Sequence, residues 1–490
     1  MTGEIQISKL VFCAYTALSV AACVQDSNIE PDRLSTLMSD TVLANLESAI
    51  PALMDSGGVT GMSIAITADT GLVWSRGFGV RSAEARESVD SSSVFEAASL
   101  SKPVFAYAFL QLVDEGVFDL DTPISEYFEY EAIAHDPRGA QITPRMVLTH
   151  SPGFPNWRPR DGQLTIDNEP GTEFSYSGEG FVYLQRAVMH VTGEPLDQIA
   201  NRLVFAPLGM RSSSYLWQEE FEDRVALPHN ADGQVMNKNK PQTGRGNAAA
   251  SLHTTAPDFA RFVMAVMKDS LLSDSTAAAM LTPQIDVDSN VTWGLGIGLQ
   301  ENEYGRGFWH WGDNSGYKAY TLSYPERGIG IVWFTNSDNG HSILDGMLEL
   351  LFGGEHMASR WLDYEQYDSP GKKVREELRR VYGDAGIDSA IARYHELKAS
   401  EPAEAFDEFL LNSLGYSLLQ NDRIDDAIAA FELNVAEYPE ASNPYDSLGE
   451  AYLAAGDTAR AIVNYQRSVE IDPGNTNGAA ILERLRGGTG

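Results

Sequence analysis

The order of apolar and polar positions changes character along the chain. Residues 61–81 contain two strand-like runs around the turn ADTG, and further strand runs separated by turns lie in residues 293–300 and 307–338. Helical patterns occupy the region between them, at residues 99–115, 180–193 and 256–268. Strands at both ends of a helical middle predict an α+β fold. In this fold the two ends meet in one antiparallel sheet, flanked by helices, with a helical insertion.

From about residue 370 the pattern is helical and repeats itself. Six positions recur at an offset of 34 residues: Leu414, Gly415, Ala427, Ile428, Phe431 and Pro439 return as Leu448, Gly449, Ala461, Ile462, Tyr465 and Pro473. This period and residue pattern are typical of tetratricopeptide repeats, which are stacked helix pairs. Two repeats seldom stand alone, so residues 374–398 are expected to form a degenerate preceding unit. We predict an all-α tetratricopeptide repeat domain over residues 370–490 that serves association with a protein partner. The alternative is a capping extension that only stabilises the preceding domain.

The length and net charge of the chain exclude some classes of function. The 490 residues suggest two or three domains, and the net charge is −34. Such an acidic chain is a poor partner for nucleic acid, whose phosphates require a basic face. The charge also argues against anionic lipid as an electrostatic partner, and it is most simply an adaptation for solubility.

The N-terminus has the pattern of an export signal. Lys9 precedes the apolar run LVFCAYTALSVAA, which is too short to span a membrane and ends in small residues. The following Cys23 completes VAAC, which resembles a bacterial lipobox, so residues 1–23 are predicted to be a signal peptide and 24–34 a tether. We expect an exported protein, periplasmic or anchored to the membrane only through lipid on Cys23, with plain secretion as the alternative. The other cysteine is Cys13, so no disulfide or thiolate metal site is expected in the mature chain.

A Ser-x-x-Lys pair begins the first helical pattern. Ser99 and Lys102 lie three residues apart and would share one helix face. Burial lowers the pKa of a lysine, which then becomes a usable base for a neighbouring serine hydroxyl. The same spacing occurs at Ser315/Lys318 and Ser369/Lys372, where glycine or proline between the two makes helical register unexpected.

Two further elements follow in the chain. Tyr176 lies in the Ser/Gly-rich loop of EFSYSGEG, directly before a helical pattern, and the strand segment HWGDNSG contains His310 and Gly312. Alone, each would more often be structural than catalytic. Glycine at position 312 would allow a ligand to approach the backbone closely.

Together and in this order, SLSK, YSG and HWG resemble the motifs of the serine β-lactamase-like and penicillin-binding-protein-like hydrolases. This family includes class C β-lactamases, D-alanyl-D-alanine carboxypeptidases and related esterases. The segments LQLVDEGVFDLDTPISEYF, ITPRMVLTHSPGFP and AAASLHTTAPDFARF resemble its framework as well. The resemblance implies a β-lactamase/transpeptidase-like domain over residues 35–365, an acyl-enzyme mechanism, and neither metal nor cofactor.

The resemblance also implies roles for individual residues. Ser99 would be the acylated nucleophile, Lys102 its base and Tyr176 a proton shuttle that also protonates the leaving group. The backbone N–H groups of Ser99 and Asp313 would form the oxyanion hole. His310 stands where β-lactamases usually have lysine and could assist Tyr176 as a neutral or cationic donor.

Two positions depart from the family pattern. Gly178 stands where many members have a substrate-binding asparagine, and Trp311 replaces the hydroxyl residue that anchors a substrate carboxylate. At both positions the polar contact to the substrate that is usual in the family is lost. This loss disfavours efficient hydrolysis of β-lactams or of D-Ala-D-Ala peptides. We therefore predict an exported serine hydrolase acting on an ester, amide or peptide. The alternatives are a D-alanyl-D-alanine carboxypeptidase or β-lactamase, and a catalytically silent binding protein that uses its repeats.

Overall fold

The structure is a computed structural model that describes residues 39–69, 71–159, 162–236, 246–268 and 271–487. The predicted signal peptide, the tether and Cys23 lie outside the described residues. Among the residues that are described, no helix is both long and apolar enough to cross a membrane.

An antiparallel sheet forms the centre of the described N-terminal part. Its eight strands lie in the order β2-β1-β10-β9-β8-β7-β6-β5. They are β1 (Gly61–Ala68), β2 (Gly71–Gly79), β5 (Ile285–Asp288), β6 (Val291–Trp293), β7 (Gly298–Asn302), β8 (Gly305–Asn314), β9 (Tyr317–Tyr324) and β10 (Ile329–Thr335). The short strands β3 (Phe95–Glu96) and β4 (His253–Thr254) pair separately.

The pairing of β1 with β10 joins the two ends of this region. Ile64 lies opposite Trp333 in antiparallel register. Successive residues of a strand point to opposite faces, so Val332 joins the core on one face of the sheet while Trp333 joins the core on the other. Both faces are therefore covered, which explains why β10 is buried and apolar up to its last residue, Thr335. The expected α+β arrangement is confirmed.

Helices cover both faces of the sheet. They are α1 (Asp40–Gly57), α2 (Ser101–Asp114), α3 (Pro144–Leu148), α4 (Gly178–Thr192), α5 (Leu196–Ala200), α6 (Ala206–Leu208), α7 (Ala256–Lys268), α8 (Asp274–Met280), α9 (Leu344–Leu351) and α10 (Met357–Leu362). One core contains α2, α4 and α7, and the other contains α1 and α9. Helix α2 is buried on nearly its whole circumference, as expected for a helix that is apolar all round.

The remainder of the described chain is helical. It consists of α11 (Pro370–Ala385), α12 (Ile387–Ser400), α13 (Glu408–Gln420), α14 (Ile424–Glu437), α15 (Ser442–Ala454), α16 (Thr458–Ile471) and α17 (Thr476–Gly487). The 34-residue offset is also visible in the packing. A Cβ atom at Gly415 would lie 2.5 Å from the Phe431 ring, and one at Gly449 would lie 3.0 Å from the Tyr465 ring. The all-α prediction is confirmed, and the assignment to tetratricopeptide repeats stays a prediction.

Candidate active site

Ser99 lies in a 3₁₀ turn, Ala98–Leu100, that leads directly into α2. Ala98, the residue before it, has a φ of +48°, a left-handed conformation that non-glycine residues seldom adopt. Strand β8 passes close by, because a Cβ atom at Gly312 would lie 2.5 Å from the Ala97 carbonyl oxygen. Backbone strain of this kind persists only where the surroundings enforce it, and it is concentrated at functional sites. The turn therefore holds a half-buried serine hydroxyl against the strand.

Lys102 is completely buried one turn further along the chain. Its Nζ lies 3.0 Å from Ser99 Oγ and donates a hydrogen bond to the Ala249 carbonyl at 2.9 Å. Among the described residues no carboxylate forms an ion pair with it. Burial therefore dominates and lowers the pKa of Lys102 from 10.5 to about 7. A large fraction of this lysine is neutral near pH 7, so its amine is able to accept the Ser99 proton.

Tyr176 completes the group from the loop before α4. Its ring lies 4.7 Å from Lys102 Nζ, and its buried hydroxyl forms no hydrogen bond of good geometry with any described residue. Burial raises the pKa of Tyr176, while the neighbouring Ser99 hydroxyl opposes that shift. The phenol is thus protonated at neutral pH. It is suited to donate a proton, and a resting phenolate base is disfavoured.

Two buried histidines surround Tyr176. His310 Nδ1 lies 2.7 Å from the Trp311 carbonyl oxygen, which only accepts, so Nδ1 carries the proton. Nε2 is then an acceptor that has no partner within the described part of the chain. Burial, followed by the charge of Lys102, lowers the pKa of His310 to about 3. In this tautomer the one donor of His310 is used on the backbone, so the geometry does not favour the expected donation to Tyr176, which stays a prediction. His310 is then a neutral acceptor.

His150 is the other histidine, and none of the three sequence motifs contains it. Its ring packs on the Tyr176 ring with centroids 4.2 Å apart, and Nδ1 accepts the Ser177 backbone N–H at 3.0 Å. Burial is the largest cause that lowers the pKa of His150. This residue has a φ of +53°, in the left-handed region. The segment LTHSPGF carried the only signal, as a stretch that resembles family framework.

The two positions that depart from the family pattern lie at the rim of this group. Trp311 is half-buried, and its ring packs 4.6 Å from the Tyr176 ring. At the start of α4, a Cβ atom on Gly178 would lie 2.5 Å from the ring of Trp157. Trp157 itself is 45% exposed, and its ring centroid is 5.9 Å from Lys102 Nζ. A tryptophan ring therefore occupies the space that a side chain at position 178 would take.

A cleft of about 680 Å³ opens beside Trp157. Its lining includes Tyr130, Arg158, Arg186 and Asn247. The Arg158 guanidinium forms an ion pair with Glu179 and donates a hydrogen bond to the Tyr130 hydroxyl at 2.7 Å. The cleft is large enough for part of a small organic substrate and ends at the tryptophan that faces the lysine.

In the other two Ser-x-x-Lys pairs, the described contacts include no hydrogen bond between the serine hydroxyl and the lysine amine. Ser315 is exposed in the turn between β8 and β9. Ser369 is the N-cap of α11, and its hydroxyl accepts the Lys372 backbone N–H at 3.1 Å. The expectation that Ser369/Lys372 lies outside a helix start is wrong, because Pro370 occupies the first helical position, where proline is tolerated.

Comparison with known proteins gives one family and several relatives. A family model described as "Beta-lactamase" matches residues 46–352. Penicillin-binding protein 4 of Amycolatopsis lactamdurans is 26% identical over 353 residues, which are 63% of this chain and 89% of that protein. Esterase EstB of Burkholderia gladioli is 26% identical over 237 residues, 42% of this chain and 59% of that protein. The structure of the octameric penicillin-binding protein homologue from Pyrococcus abyssi superposes with a TM-score of 0.55 at 25% identity, covering 69% of this chain and 82% of that one.

Proposed function

Since the chain belongs to the β-lactamase family of serine hydrolases and has the β-lactamase/transpeptidase-like fold, we propose that it hydrolyses small neutral esters through an acyl-enzyme on Ser99. The observation that carries this proposal is the buried amine of Lys102, 3.0 Å from Ser99 Oγ, with its pKa lowered to about 7. A neutral amine in contact with a half-buried hydroxyl is the arrangement that activates a serine nucleophile.

In the acylation step that we propose, Lys102 takes the Ser99 proton as Oγ attacks the ester carbonyl carbon. The negative charge that develops on the carbonyl oxygen is stabilised by the backbone N–H groups of Ser99 and Asp313. The C–O bond then breaks. Tyr176 donates its proton to the departing alkoxide and regains one from Lys102, so the alcohol leaves and the acyl group stays on Oγ.

Deacylation reverses these transfers with water in place of the alcohol. The water proton passes through Tyr176 to Lys102 as the hydroxide attacks the acyl carbon. The oxyanion is again held by the two N–H groups, and the bond to Ser99 Oγ breaks as that oxygen recovers its proton. The carboxylic acid is released and the resting site is restored, with no net gain or loss of protons by the enzyme.

The charges around the site favour a neutral substrate. Trp311 offers an apolar face where a hydroxyl donor would bind a substrate carboxylate. The cation near the end of β8 is Lys318, and it is already held by Asp313 at 2.9 Å and Asp338 at 3.2 Å. At the end of β8, a carboxylate-bearing β-lactam or D-Ala-D-Ala peptide therefore finds no cation free of an acidic partner among the described residues, and an apolar ester has no such need.

We expect p-nitrophenyl butyrate to be turned over with a kcat/KM at least about 100-fold above that of a chromogenic cephalosporin. The reason is that the cephalosporin carboxylate would be desolvated against Trp311 without a hydrogen-bond partner. Steady-state kinetics of both substrates on the purified chain measure the ratio. A ratio near one, or one that favours the cephalosporin, would replace the esterase proposal by the carboxypeptidase or β-lactamase alternative.

A pair of variants provides the matched control for that comparison. Gly178→Asn alone should lose activity on both substrates, because the new Cβ atom would lie 2.5 Å from the Trp157 ring. With Trp157→Ala added, the amide has room, and the ratio should move toward the cephalosporin. If the single and double variants shift the ratio equally, Trp157 is not what excludes the asparagine.

We also propose that the chain is exported and tethered by lipid on Cys23, as the VAAC sequence supports. In a bacterial host the full chain should then fractionate with membranes, and the Cys23→Ser variant should be released in soluble form. A lipid chain on the N-terminal cysteine is the only membrane contact that this proposal requires. A full chain that is soluble in the periplasm would support plain secretion instead.

A further inference from the structure

The peptide unit between Gly312 and Asp313 is held from one side by a buried histidine. His341 Nε2 lies 3.0 Å from the Gly312 carbonyl oxygen. A carbonyl only accepts hydrogen bonds, so Nε2 carries the proton and donates it. In a trans peptide the C=O and N–H point in opposite directions. A bond that fixes the Gly312 carbonyl therefore also fixes the direction of the Asp313 N–H.

The side chain of Asp313 is held by two further groups. Lys318 Nζ lies 2.9 Å from Oδ1, and the Tyr364 hydroxyl donates to Oδ2 at 2.7 Å. Lys318 is itself held by Asp338 at 3.2 Å. The carboxylate thus has a partner on each oxygen, and these contacts restrict the movement of residue 313.

Tyr364 links the two parts of this network. Its ring stacks on the His341 ring with centroids 4.3 Å apart and an interplanar angle of 30°. His341 is completely enclosed, and this burial is the main cause that lowers its pKa to about 4. A neutral ring with its proton on Nε2 is the state that donates to Gly312.

Tyr364 lies beyond the residues that the family model matches, which end at 352. It is in the segment between α10 and α11, the connection to the C-terminal helices. Nearby, the Tyr367 backbone N–H donates to the Ser342 carbonyl at 2.8 Å, which anchors this segment beside His341. The connecting segment therefore contributes a side chain to the end of the active-site strand.

We propose that Tyr364 and His341 are positioning residues, which aim the Asp313 N–H at the oxygen that becomes negatively charged during acylation. This inference rests on the proposed function. Donation from His341 to the Gly312 carbonyl polarises the peptide and makes its N–H a stronger donor. Losing one oxyanion donor costs on the order of 100-fold or more in rate, so loosening that donor should cost a part of this factor.

The test is Tyr364→Phe in the full chain, which keeps the ring on His341 and removes only the hydroxyl. We expect kcat on p-nitrophenyl butyrate to fall about 10-fold, with KM within about twofold of the wild type. The inhibition constant of phenylboronic acid, whose tetrahedral adduct on Ser99 places an oxygen where the oxyanion develops, should rise by a similar factor. Tyr367→Phe makes the same chemical change three residues away and should leave both values unchanged.

A second variant tests whether the hydroxyl acts through Asp313. Asp313→Ala keeps the backbone N–H but removes the carboxylate, so it should show a similar loss, and adding Tyr364→Phe to it should cost little more. Independent, multiplying losses would overturn the inference, as would a Tyr364→Phe variant with wild-type kcat and boronate inhibition. An inactive, unlabelled wild type would overturn the proposed function as well. An active wild type with an unaffected variant overturns only this inference.

Discussion

Replacing Ser99 by alanine should abolish ester turnover and covalent labelling by a fluorophosphonate while leaving the chain folded. Removal of an activated nucleophile costs on the order of 10⁴- to 10⁶-fold in kcat. The effect on stability should be small. The hydroxyl contacts Lys102 Nζ and is not the cap of α2, which begins after Leu100 without a side-chain cap. Turnover, labelling and the circular dichroism melting curve of the variant measure the three expectations.

Ser315→Ala is the matched control, since it removes a hydroxyl from another Ser-x-x-Lys pair. Ser315 is exposed, and among the described residues its Oγ has only a weak contact, with Met236 Sδ at 4.0 Å. This variant should keep full activity and labelling. Mass spectrometry that places the adduct on Ser315 or Ser369 would contradict the assignment of Ser99. A folded wild type that neither labels nor turns over an ester would favour the silent binding protein.

The parts of the fold that local pattern determines could be predicted from the sequence. The strand runs around ADTG, the helix after Ser99 and the 34-residue helical period all follow from residue spacing within a single element. The pairing of Ser99 with Lys102 is of the same kind, because three residues are one turn of helix. The order of the three motifs then identified the family.

The remaining site features depend on contacts between distant segments. Tyr364 meets Asp313 across 51 residues, and Trp157 fills the space beside Gly178 across 21. The periodicity of apolar and polar residues within one element cannot predict a contact between such distant residues. His150 was missed for a further reason, since a buried histidine with a positive φ has no local signature that separates it from a turn residue. The contact of His310 Nδ1 with the Trp311 carbonyl could not be predicted either, because no sequence pattern fixes the orientation of an imidazole ring.

Because Lys102 is buried, both the activity and its contribution to the free energy of unfolding should rise with pH. In the unfolded chain this lysine titrates near 10.5, and in the folded chain near 7. Between these values the unfolded state binds more protons, so the contribution of Lys102 to the free energy of unfolding rises with pH from about 7 to about 10.5. Near pH 7 the buried amine of Lys102 therefore lowers the free energy of unfolding. The same burial lowers its pKa and so makes it a base. Such a trade between stability and function is common at active sites.

Lys102 and Tyr176 should behave as one proton-handling unit. Because Lys102 must be neutral to accept the Ser99 proton, kcat/KM should rise with pH through about 7 and level off above it. The raised pKa of Tyr176 keeps the phenol protonated across the plateau. Tyr176→Phe should lower the rate by about 100-fold or more and keep the rise, because proton transfer to the leaving group is lost while the lysine still titrates.

Lys102→Ala should lower kcat/KM by about 1,000-fold or more and remove the rise near pH 7, because no other described side chain lies in position to take the Ser99 proton. The double variant should be little worse than Lys102→Ala alone, since the phenol cannot be reprotonated once the amine is gone. Rates of all four proteins on p-nitrophenyl butyrate between pH 5 and 9 complete the cycle. If the single losses multiply in the double variant, the two groups act separately. If the rise persists without Lys102, another group is the base.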